Sequence, residues 1–416
     1  MNIFDNFLVK IQNLILANIK ELNLNNLNKF KGVVVESPPE NFNFDLSSNV
    51  ALILGKINKI NPIELSKKIK LILINNLPEI ENIEILKPGF LNINLSNICL
   101  QNFILEIFNN REKYGFISSK KKYNIEFVSA NPTGPMHVGH CRGAIYGDVL
   151  ANLFKFNGNE VTKEYYINDY GNQIKNFTKS VYLRIREIKF KEKFIDAKDL
   201  YPGEYIKDIA KKILENNSKL DFDNFEKSEK ILTKESLKYS MNTIKSDLSN
   251  LGITHDNFFS ETDIVSQNLV NKAIELLKNN NYVEEGFLNP PKGEEKKNWK
   301  KTKRLLFKSS LFGDDVDRAL QKNDGSWTYF ANDIAYHMNK VSRKYDYLIN
   351  VLGADHTGYI KRITAAVNAL SKNKVTLDCR VCQLVKLYKK GKPYKMSKRA
   401  GDFISVNDLL KEVDKD

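Results

Sequence analysis

The chain has 416 residues, of which 42% are hydrophobic and 11% aromatic, and this length predicts two or three domains. No run of about 18 apolar residues is present, so no membrane-spanning helix is expected. Polar residues within the first apolar stretch argue against a secretory signal. The net charge is +14, and residues 371–401 hold 10 basic residues against one acidic residue. That segment suits a polyanionic partner, although a lysine-rich composition alone would also raise the overall charge.

The first 105 residues are predicted to form a small α+β domain. Apolar residues at helical spacing follow the start of the chain. A later helix opens with Asn61 as a plausible cap and Pro62 in its first turn. The predicted elements are, in chain order, a helix over 3–22, a strand at 32–36, helices over 48–58 and 62–76, and a strand at 89–95.

A strand, a loop, a helix and a second strand are predicted next. Apolar and polar residues alternate over 123–128, and proline and glycine then break the pattern over 132–135. A helix is expected from about His137 to Phe156, followed by a strand at 160–167. This order is typical of the start of a parallel nucleotide-binding sheet. The apolar stripe expected to face the core comprises Val138, Cys141, Ile145, Val149, Leu153 and Phe156.

The middle of the chain is interpreted as an insertion between two halves of a Rossmann-like fold. Residues 180–325 are charged and helix-rich, and the second half is placed at 326–385 with a buried strand at 348–352. Cys379 and Cys382 lie in an alternating, strand-like run. A structural zinc site needs four ligands, and no second cysteine pair is nearby, so these thiols are expected to be metal-free and reduced, as in a cytoplasmic protein.

Two short motifs lie about 255 residues apart: Pro135-Met136-His137-Val138-Gly139-His140 and Lys395-Met396-Ser397-Lys398-Arg399. A His-x-Gly-His pattern alone is weak evidence, because short patterns arise by chance and related nucleotidyltransferases share it. The second motif, in a basic loop of the same chain, is much harder to obtain by accident. Together the two motifs resemble the nucleotide-handling signatures of class I aminoacyl-tRNA synthetases.

Longer blocks narrow this resemblance to arginyl-tRNA synthetases. The similar blocks are residues 126–174, Tyr329 through His337, Gly353 through His356, and Lys395 through Gly401. The resemblance runs from about residue 5 to the last residue and is weakest between about 180 and 300.

The resemblance implies an α/β fold with three parts. A tRNA-contacting α+β domain over 1–105 precedes a Rossmann-like parallel-sheet catalytic domain over 106–385, with a helical connective insertion at about 180–325. Residues 386–416 would form the signature loop and the start of a C-terminal region. Arginyl-tRNA synthetases normally continue into a helical anticodon-binding domain, whereas this sequence ends 17 residues after Arg399, so that domain is expected to be absent.

The implied reaction joins L-arginine to ATP, bound with Mg²⁺, and transfers the arginyl group to arginine tRNA. The attacking carboxylate is already ionised at pH 7, so no general base is needed. Catalysis can then depend on positioning and charge stabilisation. The catalytic residues would be His137, His140 and Lys398, and the ATP-binding set would be His137, Gly139, His140, Lys395, Met396 and Lys398.

Recognition of arginine needs carboxylates that can accept hydrogen bonds from a planar guanidinium. The resemblance assigns this role to Glu126 and Asp333, with Tyr329 one helical turn before Asp333. The full arginine-binding set is Glu126, Ser129, Asn131, Tyr329, Asp333 and His337, and Asp355 and His356 are further candidates for contacts with ribose or substrate.

Two other functions remain open from the sequence. The chain could be a different nucleotidyltransferase that uses the same His-x-Gly-His motif, or a non-catalytic or impaired tRNA-binding fragment. The expected partners are arginine tRNA and L-arginine, and the expected state is a cytoplasmic monomer without a metal site of its own.

Overall fold

The computed structural model divides the chain into two compact units, Met1–Ser118 and Ser119–Asp416. It describes residues 2–116, 119–195, 197, 199–217, 221–287, 302–383, 385, 387–389, 392–394 and 403–412. Within these residues, no helix is both long enough and apolar enough to cross a bilayer.

The first unit is an antiparallel sheet covered by helices. Its strands are β1 (Val35–Glu36), β2 (Leu46–Ser48), β3 (Ile80–Leu86) and β4 (Phe90–Leu95), in the sheet order β1-β2-β4-β3. Its helices are α1 (Ile3–Ala17), α2 (Val50–Asn58), α3 (Pro62–Asn76) and α4 (Asn97–Asn110).

The predicted helices of this unit are close to the observed ones, whereas only two of its four strands were predicted. Asn61 caps α3 as expected, because its Oδ1 accepts hydrogen bonds from the backbone N–H groups of Ile63 and Glu64. Helix α1 ends at Ala17 rather than at residue 22, where the Asn18 side chain turns back to bond the Leu14 carbonyl at 2.8 Å. Strand β1 is shorter than predicted, and β2 and β3 were not predicted at all.

The second unit is built on a five-stranded parallel sheet, so the predicted α/β fold class is confirmed. The sheet order is β12-β11-β5-β6-β7. The direction of winding reverses between β5 and β11, and ligands bind beyond the carboxyl ends of parallel strands at such a switch point. The strands are β5 (Lys122–Glu126), β6 (Glu160–Ile167), β7 (Asn257–Ser260), β11 (Tyr347–Gly353) and β12 (Thr376–Cys382).

Helices and two small sheets complete this unit. A three-stranded sheet contains β8 (Val283–Phe287), β9 (Lys303–Phe307) and β10 (Arg318–Ala319), and β13 (Leu387–Lys389) pairs with β14 (Lys392–Tyr394). The helices are α5 (Val138–Phe156), α6 (Asn172–Phe190), α7 (Glu204–Asn216), α8 (Phe225–Asn250), α9 (Glu261–Ser266), α10 (Leu269–Asn279), α11 (Tyr329–Ser342), α12 (Ile360–Ser371) and α13 (Val406–Glu412).

The structure corrects the predicted insertion in one respect. Strand β7 falls within residues 180–325 but pairs in parallel with β6 and therefore belongs to the main sheet. Its four residues are only half-buried, so they lack the continuous apolar run by which a central parallel strand is recognised. Helices α6, α7 and α8 do form a separate apolar cluster of their own.

Helix α5 packs on the sheet with a different face from the predicted one. Val138 and Cys141 are buried as expected, but the side chains of Ile145, Val149, Leu153 and Phe156 are between 41% and 55% exposed. Small residues face the sheet instead: a Cβ on Gly147 would lie 2.3 Å from Cγ of Phe127. The sequence stripe was misread because close approach of the helix to Phe127 requires glycine and alanine at the contact.

A buried carboxylate in β6 fixes the position of α11 against the sheet. Glu164 accepts two hydrogen bonds from the Arg343 guanidinium, at 2.5 and 2.8 Å, and one from the Tyr336 hydroxyl at 2.8 Å. Amides of Asn124 and Asn257 each add a bond at 2.9 Å. Burial opposes the charge, but these partners hold the pKa of Glu164 down at about 2. These bonds anchor α11 to strand β6 through Tyr336 and through Arg343, the C-cap of the helix.

Candidate active site

The two histidines of the first motif begin helix α5. His137 is the N-cap, and its Nδ1 accepts the Gly139 backbone N–H at 3.2 Å. His140 turns back, so that its Nδ1 accepts the His137 backbone N–H at 3.2 Å, and the two rings stack at 3.8 Å. A ring nitrogen that accepts carries no proton, so in the neutral form of each ring Nε2 is the protonated atom and a donor.

This arrangement suits a phosphate group. The first backbone N–H groups of a helix and its macrodipole favour an anion, and two imidazole donors add to them. The capping role of these histidines is compatible with phosphate binding, because capping uses Nδ1 of each ring.

The chain beyond the second motif returns to the first motif. Lys395, Met396 and Lys398 lie outside the described residues. The segment that follows them forms a bridge to the first motif, in which Val138 N donates to the Ile404 carbonyl at 3.1 Å and Val406 N donates to the Met136 carbonyl at 3.2 Å. The two motifs, distant in sequence, are thus joined through the residues that flank them.

The end of β5 carries a buried polar network. Glu126 pairs with the fully buried Lys340 of α11 at 2.5 Å and accepts the Ser129 hydroxyl at 3.2 Å. Lys340 also bonds Asn350, the residue beside Glu126 in strand β11, at 3.1 Å. Glu126 therefore already has one cation, supplied by the protein itself.

Ser129 is held in place by an unusual backbone. Val128 and Ser129 have φ of 69° and 42°, in the left-handed region that L-residues rarely adopt. In this conformation the Ser129 hydroxyl contacts Glu126, and its oxygen accepts the Tyr166 backbone N–H at 3.0 Å. Such strained positions persist only where the surrounding contacts hold them, often at functional sites.

His337 uses both ring nitrogens within the protein. Its Nδ1 donates to the Asp333 carbonyl at 2.8 Å, and its Nε2 accepts from Asn350 at 3.0 Å. Burial, and then the charge of Lys340, lower the pKa of His337 to about 3, so the ring is neutral at pH 7. His337, a predicted arginine contact, therefore uses its ring to orient Asn350 within this network.

Asp333 and Glu261 are carboxylates whose partners are neutral. Asp333 accepts the Tyr359 hydroxyl, and Glu261 accepts Asn332 at 3.3 Å and also Tyr166. Across the described part of the chain, no ion pair involves either carboxylate. Burial raises the pKa of Asp333 to about 7, and the charges of Glu126 and Glu261 contribute to the shift. Burial likewise raises the pKa of Glu261.

A cleft of about 520 Å³ opens beside Glu261, at the carboxyl ends of β6 and β7. Glu261, Asn332 and Tyr329 line it, together with Trp327 and residues at the start of α6. Thr328 caps α11, the helix that carries Tyr329 and Asn332. Its hydroxyl accepts the Ala331 backbone N–H at 3.3 Å. Tyr329 is 80% exposed, with its ring at the rim of the cleft near Lys322.

The remaining predicted site residues lie on the surface at the strand ends. Asn131 is exposed in the loop after β5, and Asp355 and His356 are exposed after β11, with 3.6 Å between His356 Nε2 and Asp355 Oδ2. The structure thus brings Glu126, Ser129 and Asp333 together with Lys340, Asn350, Tyr359 and Glu261, which sequence reasoning missed. The sequence held one clue to Lys340, because this residue lies two helical turns after Asp333 on α11.

The geometry gives a pH prediction for arginine affinity. A guanidinium binds an ionised Asp333, and with the pKa of Asp333 at about 7 the ionised fraction falls about tenfold between pH 8 and pH 6. Arginine affinity should therefore fall by about tenfold over this range, and arginine binding should release a proton at pH 6. Calorimetry in buffers of different ionisation enthalpy measures both quantities. A flat affinity profile in the parent chain would contradict this assignment, and Asp333→Asn should give a flat profile.

Comparison with known proteins decides the family. A model described as "tRNA synthetases class I (R), catalytic domain" matches residues 104–416, and one described as "Arginyl tRNA synthetase N terminal domain" matches residues 9–95. The chain belongs to the class I arginyl-tRNA synthetase family. The resemblance noted from its motifs is thereby confirmed.

Relatives within this synthetase family are similar along the whole chain. A protein named arginine–tRNA ligase from Pelagibacter ubique is 56% identical over all of this chain and 73% of its own length. One of the same name from Ehrlichia ruminantium is 46% identical over 98% of this chain and 71% of its own.

Solved structures of the family share the fold. A Campylobacter jejuni structure described as an arginyl tRNA synthetase has a TM-score of 0.65 at 34% identity, over 77% of this chain and 67% of its own. Arginyl-tRNA synthetase from Thermus thermophilus has a TM-score of 0.62 over 95% of this chain and 69% of its own, and its 18% identity supports the fold alone.

Proposed function

We propose that the chain activates L-arginine with ATP and transfers it to the 3′ end of arginine tRNA. The family membership and the names of the relatives support this activity. The observation that carries the choice of amino acid is a pair of carboxylates whose described partners are neutral, the half-buried Asp333 and the buried Glu261, of which Glu261 lines a cleft at the carboxyl ends of β6 and β7. A cationic side chain of the substrate would supply the missing charge.

In the first step, an arginine carboxylate oxygen forms a bond to the α-phosphorus of ATP. The bond from that phosphorus to the bridging oxygen breaks, and pyrophosphate leaves. His137 and His140 would donate hydrogen bonds to phosphate oxygens from Nε2, and Lys398 would stabilise the charge that develops on the leaving group. In the second step, a ribose hydroxyl of the terminal nucleotide attacks the arginyl carbonyl, and AMP leaves.

The proposal assigns different residues to the guanidinium of arginine and to its backbone groups. Asp333 and Glu261 would receive the guanidinium, with Tyr329 at the rim of the cleft. Glu126, which Lys340 already neutralises, would with Ser129 and Asn131 orient the backbone groups of the substrate. Asp355 and His356 lie at the carboxyl end of β11, where ribose hydroxyls bind in many parallel-sheet proteins.

ATP would arrive with Mg²⁺ bound to its phosphates. Mg²⁺ usually keeps several waters and takes few protein ligands when phosphates bind it. In the described part of the chain no three His, Cys, Asp or Glu side chains are grouped to hold a metal ion.

We also propose that residues 1–105 contact tRNA and that the protein works as a cytoplasmic monomer. The match of residues 9–95 to the family's N-terminal domain supports the first proposal, and four unpaired cysteines fit a reducing compartment. Light scattering in solution tests the monomer.

Arginine-dependent exchange of pyrophosphate into ATP tests the proposed function. The assay contains ATP, Mg²⁺ and arginine tRNA, with arginine, lysine or citrulline as the amino acid. Citrulline matches the shape of arginine but lacks its charge, so exchange is expected with arginine and not with citrulline. Exchange that does not depend on arginine would favour another nucleotidyltransferase, and no exchange with any amino acid would favour a non-catalytic tRNA-binding protein.

A further inference from the structure

Two helices of the insertion contact the segments that flank both signature motifs. Helices α7 and α8 pack on each other and on α6 around a separate apolar cluster. One side chain from α7 and one from α8 reach out of this cluster. They meet the loop before α5 and the segment that begins at Phe403.

Tyr205 of α7 holds its ring against both segments. A Cβ on Gly134 would lie 2.7 Å from the Tyr205 ring, and Gly134 has φ of +148°, so only glycine fits there. The Tyr205 ring also lies edge-on to Phe403 at 6.1 Å, and Phe403 lies 6.4 Å from the His137 ring. The Tyr205 hydroxyl is buried and has no hydrogen-bond partner within the described residues, so the ring is the part that matters.

Asp247 of α8 connects the same two segments through hydrogen bonds. It is fully buried, and its Oδ2 accepts the Met136 backbone N–H at 2.8 Å. Its Oδ1 accepts the Asn407 side chain at 3.3 Å, and Asn407 in turn accepts Asn250 of α8 at 2.9 Å. Met136 and Asn407 each lie next to the backbone bridge that joins the two segments.

We propose that Tyr205 and Asp247 are positioning residues for adenylate formation, which hold the loop before His137 and the segment at Phe403 in a fixed relation. This inference rests on the proposed function. His137 and His140 lie directly after one held segment, and Lys398 precedes the other by five residues in the sequence. Groups that act on one triphosphate must be placed together, and a misplacement of about 1 Å can cost about 100-fold in rate.

The proposal predicts that changes at these positions affect the ATP-dependent step but not arginine binding. The carboxylates assigned to arginine lie on α9, α11 and β5, whereas Tyr205 and Asp247 lie on α7 and α8. Loosening the held segments should therefore slow the chemical step and raise the KM for ATP, whereas the affinity for arginine should stay unchanged. A residue that only stabilises the fold would lower the melting temperature without this selective effect.

The test compares Tyr205→Ala, Tyr205→Phe and Asn407→Ala in the pyrophosphate exchange assay, with active sites titrated. We expect Tyr205→Ala to lower kcat by about 10- to 100-fold and to raise the KM for ATP, with the arginine dissociation constant within about twofold of the parent. Tyr205→Phe keeps the ring and should restore the parent values. Asn407 is exposed, so Asn407→Ala should fold even where Tyr205→Ala does not, and it should shift the same parameters in the same direction.

Tyr182→Ala is the matched control. Tyr182 is buried in the same insertion, and its described contacts are with Phe225 and Arg186 of that insertion. It should lower the melting temperature without raising the KM for ATP. The proposal is overturned if Asn407→Ala and Tyr205→Ala exchange at the parent rate per active site, if they weaken arginine and ATP equally, or if Tyr182→Ala gives the same selective loss. Failure of the parent chain to exchange at all would instead contradict the proposed function.

Discussion

Asp333→Asn should raise the arginine concentration needed for half-maximal activation by about 10- to 150-fold, because a charge-assisted hydrogen bond contributes roughly 1.5–3 kcal/mol. The amide keeps the size of the carboxylate and can still accept the Tyr359 hydroxyl, so the surrounding structure should survive. The KM for ATP should change by less than about twofold. Exchange assays with arginine and ATP varied in turn measure both constants.

A matched control separates this effect from general loss of a carboxylate. Asp378 pairs with Arg380 on strand β12 and lies outside the proposed arginine pocket, so Asp378→Asn should leave both constants unchanged. Equal increases for arginine and ATP in Asp333→Asn, or no increase for either, would remove Asp333 from the arginine site.

Lys398→Ala should slow adenylate formation by about 100- to 1,000-fold while leaving arginine affinity nearly unchanged. A contact to the leaving pyrophosphate strengthens as charge develops in the transition state, and removing one such donor typically costs this much in rate. Single-turnover activation, measured beside arginine binding, tests the prediction. Lys374→Ala removes an exposed lysine from the same basic stretch and should activate at the parent rate. A parent-like rate in Lys398→Ala would show that the motif is only a basic turn.

The sequence predicted the reaction better than it predicted the packing that supports it. The histidine and lysine motifs identified the family because their chemistry requires particular residues at fixed spacing. The stripe on α5 was assigned to the wrong face, because hydrophobicity alone cannot show that Phe127 needs Gly147 opposite it. Strands β2 and β7 have three and four residues and carry too few alternations to be recognised.

The arginine pocket shows a second reason why prediction from the sequence was incomplete. Asp333 lies in a block that resembles the family, but Glu261 lies 72 residues earlier in the least similar region and has no local pattern. Only the parallel pairing of β6 with β7 brings the start of α9 beside Tyr166 and Asn332. Long-range juxtaposition of this kind depends on the tertiary fold, which spacing along the chain does not encode.

The left-handed backbone at Val128 lowers the stability of the protein but supports its activity. A branched L-residue in this region costs about 1–2 kcal/mol, and a glycine that relieves this strain would lose the packing of Val128 against the apolar core. Glycine would also release Ser129 from the conformation in which it bonds both Glu126 and the backbone of Tyr166. Val128→Gly should therefore gain little heat resistance, and selection for growth on scarce arginine should remove it. The strain is retained, in this view, because a stable but loosely organised strand end would bind its amino acid poorly.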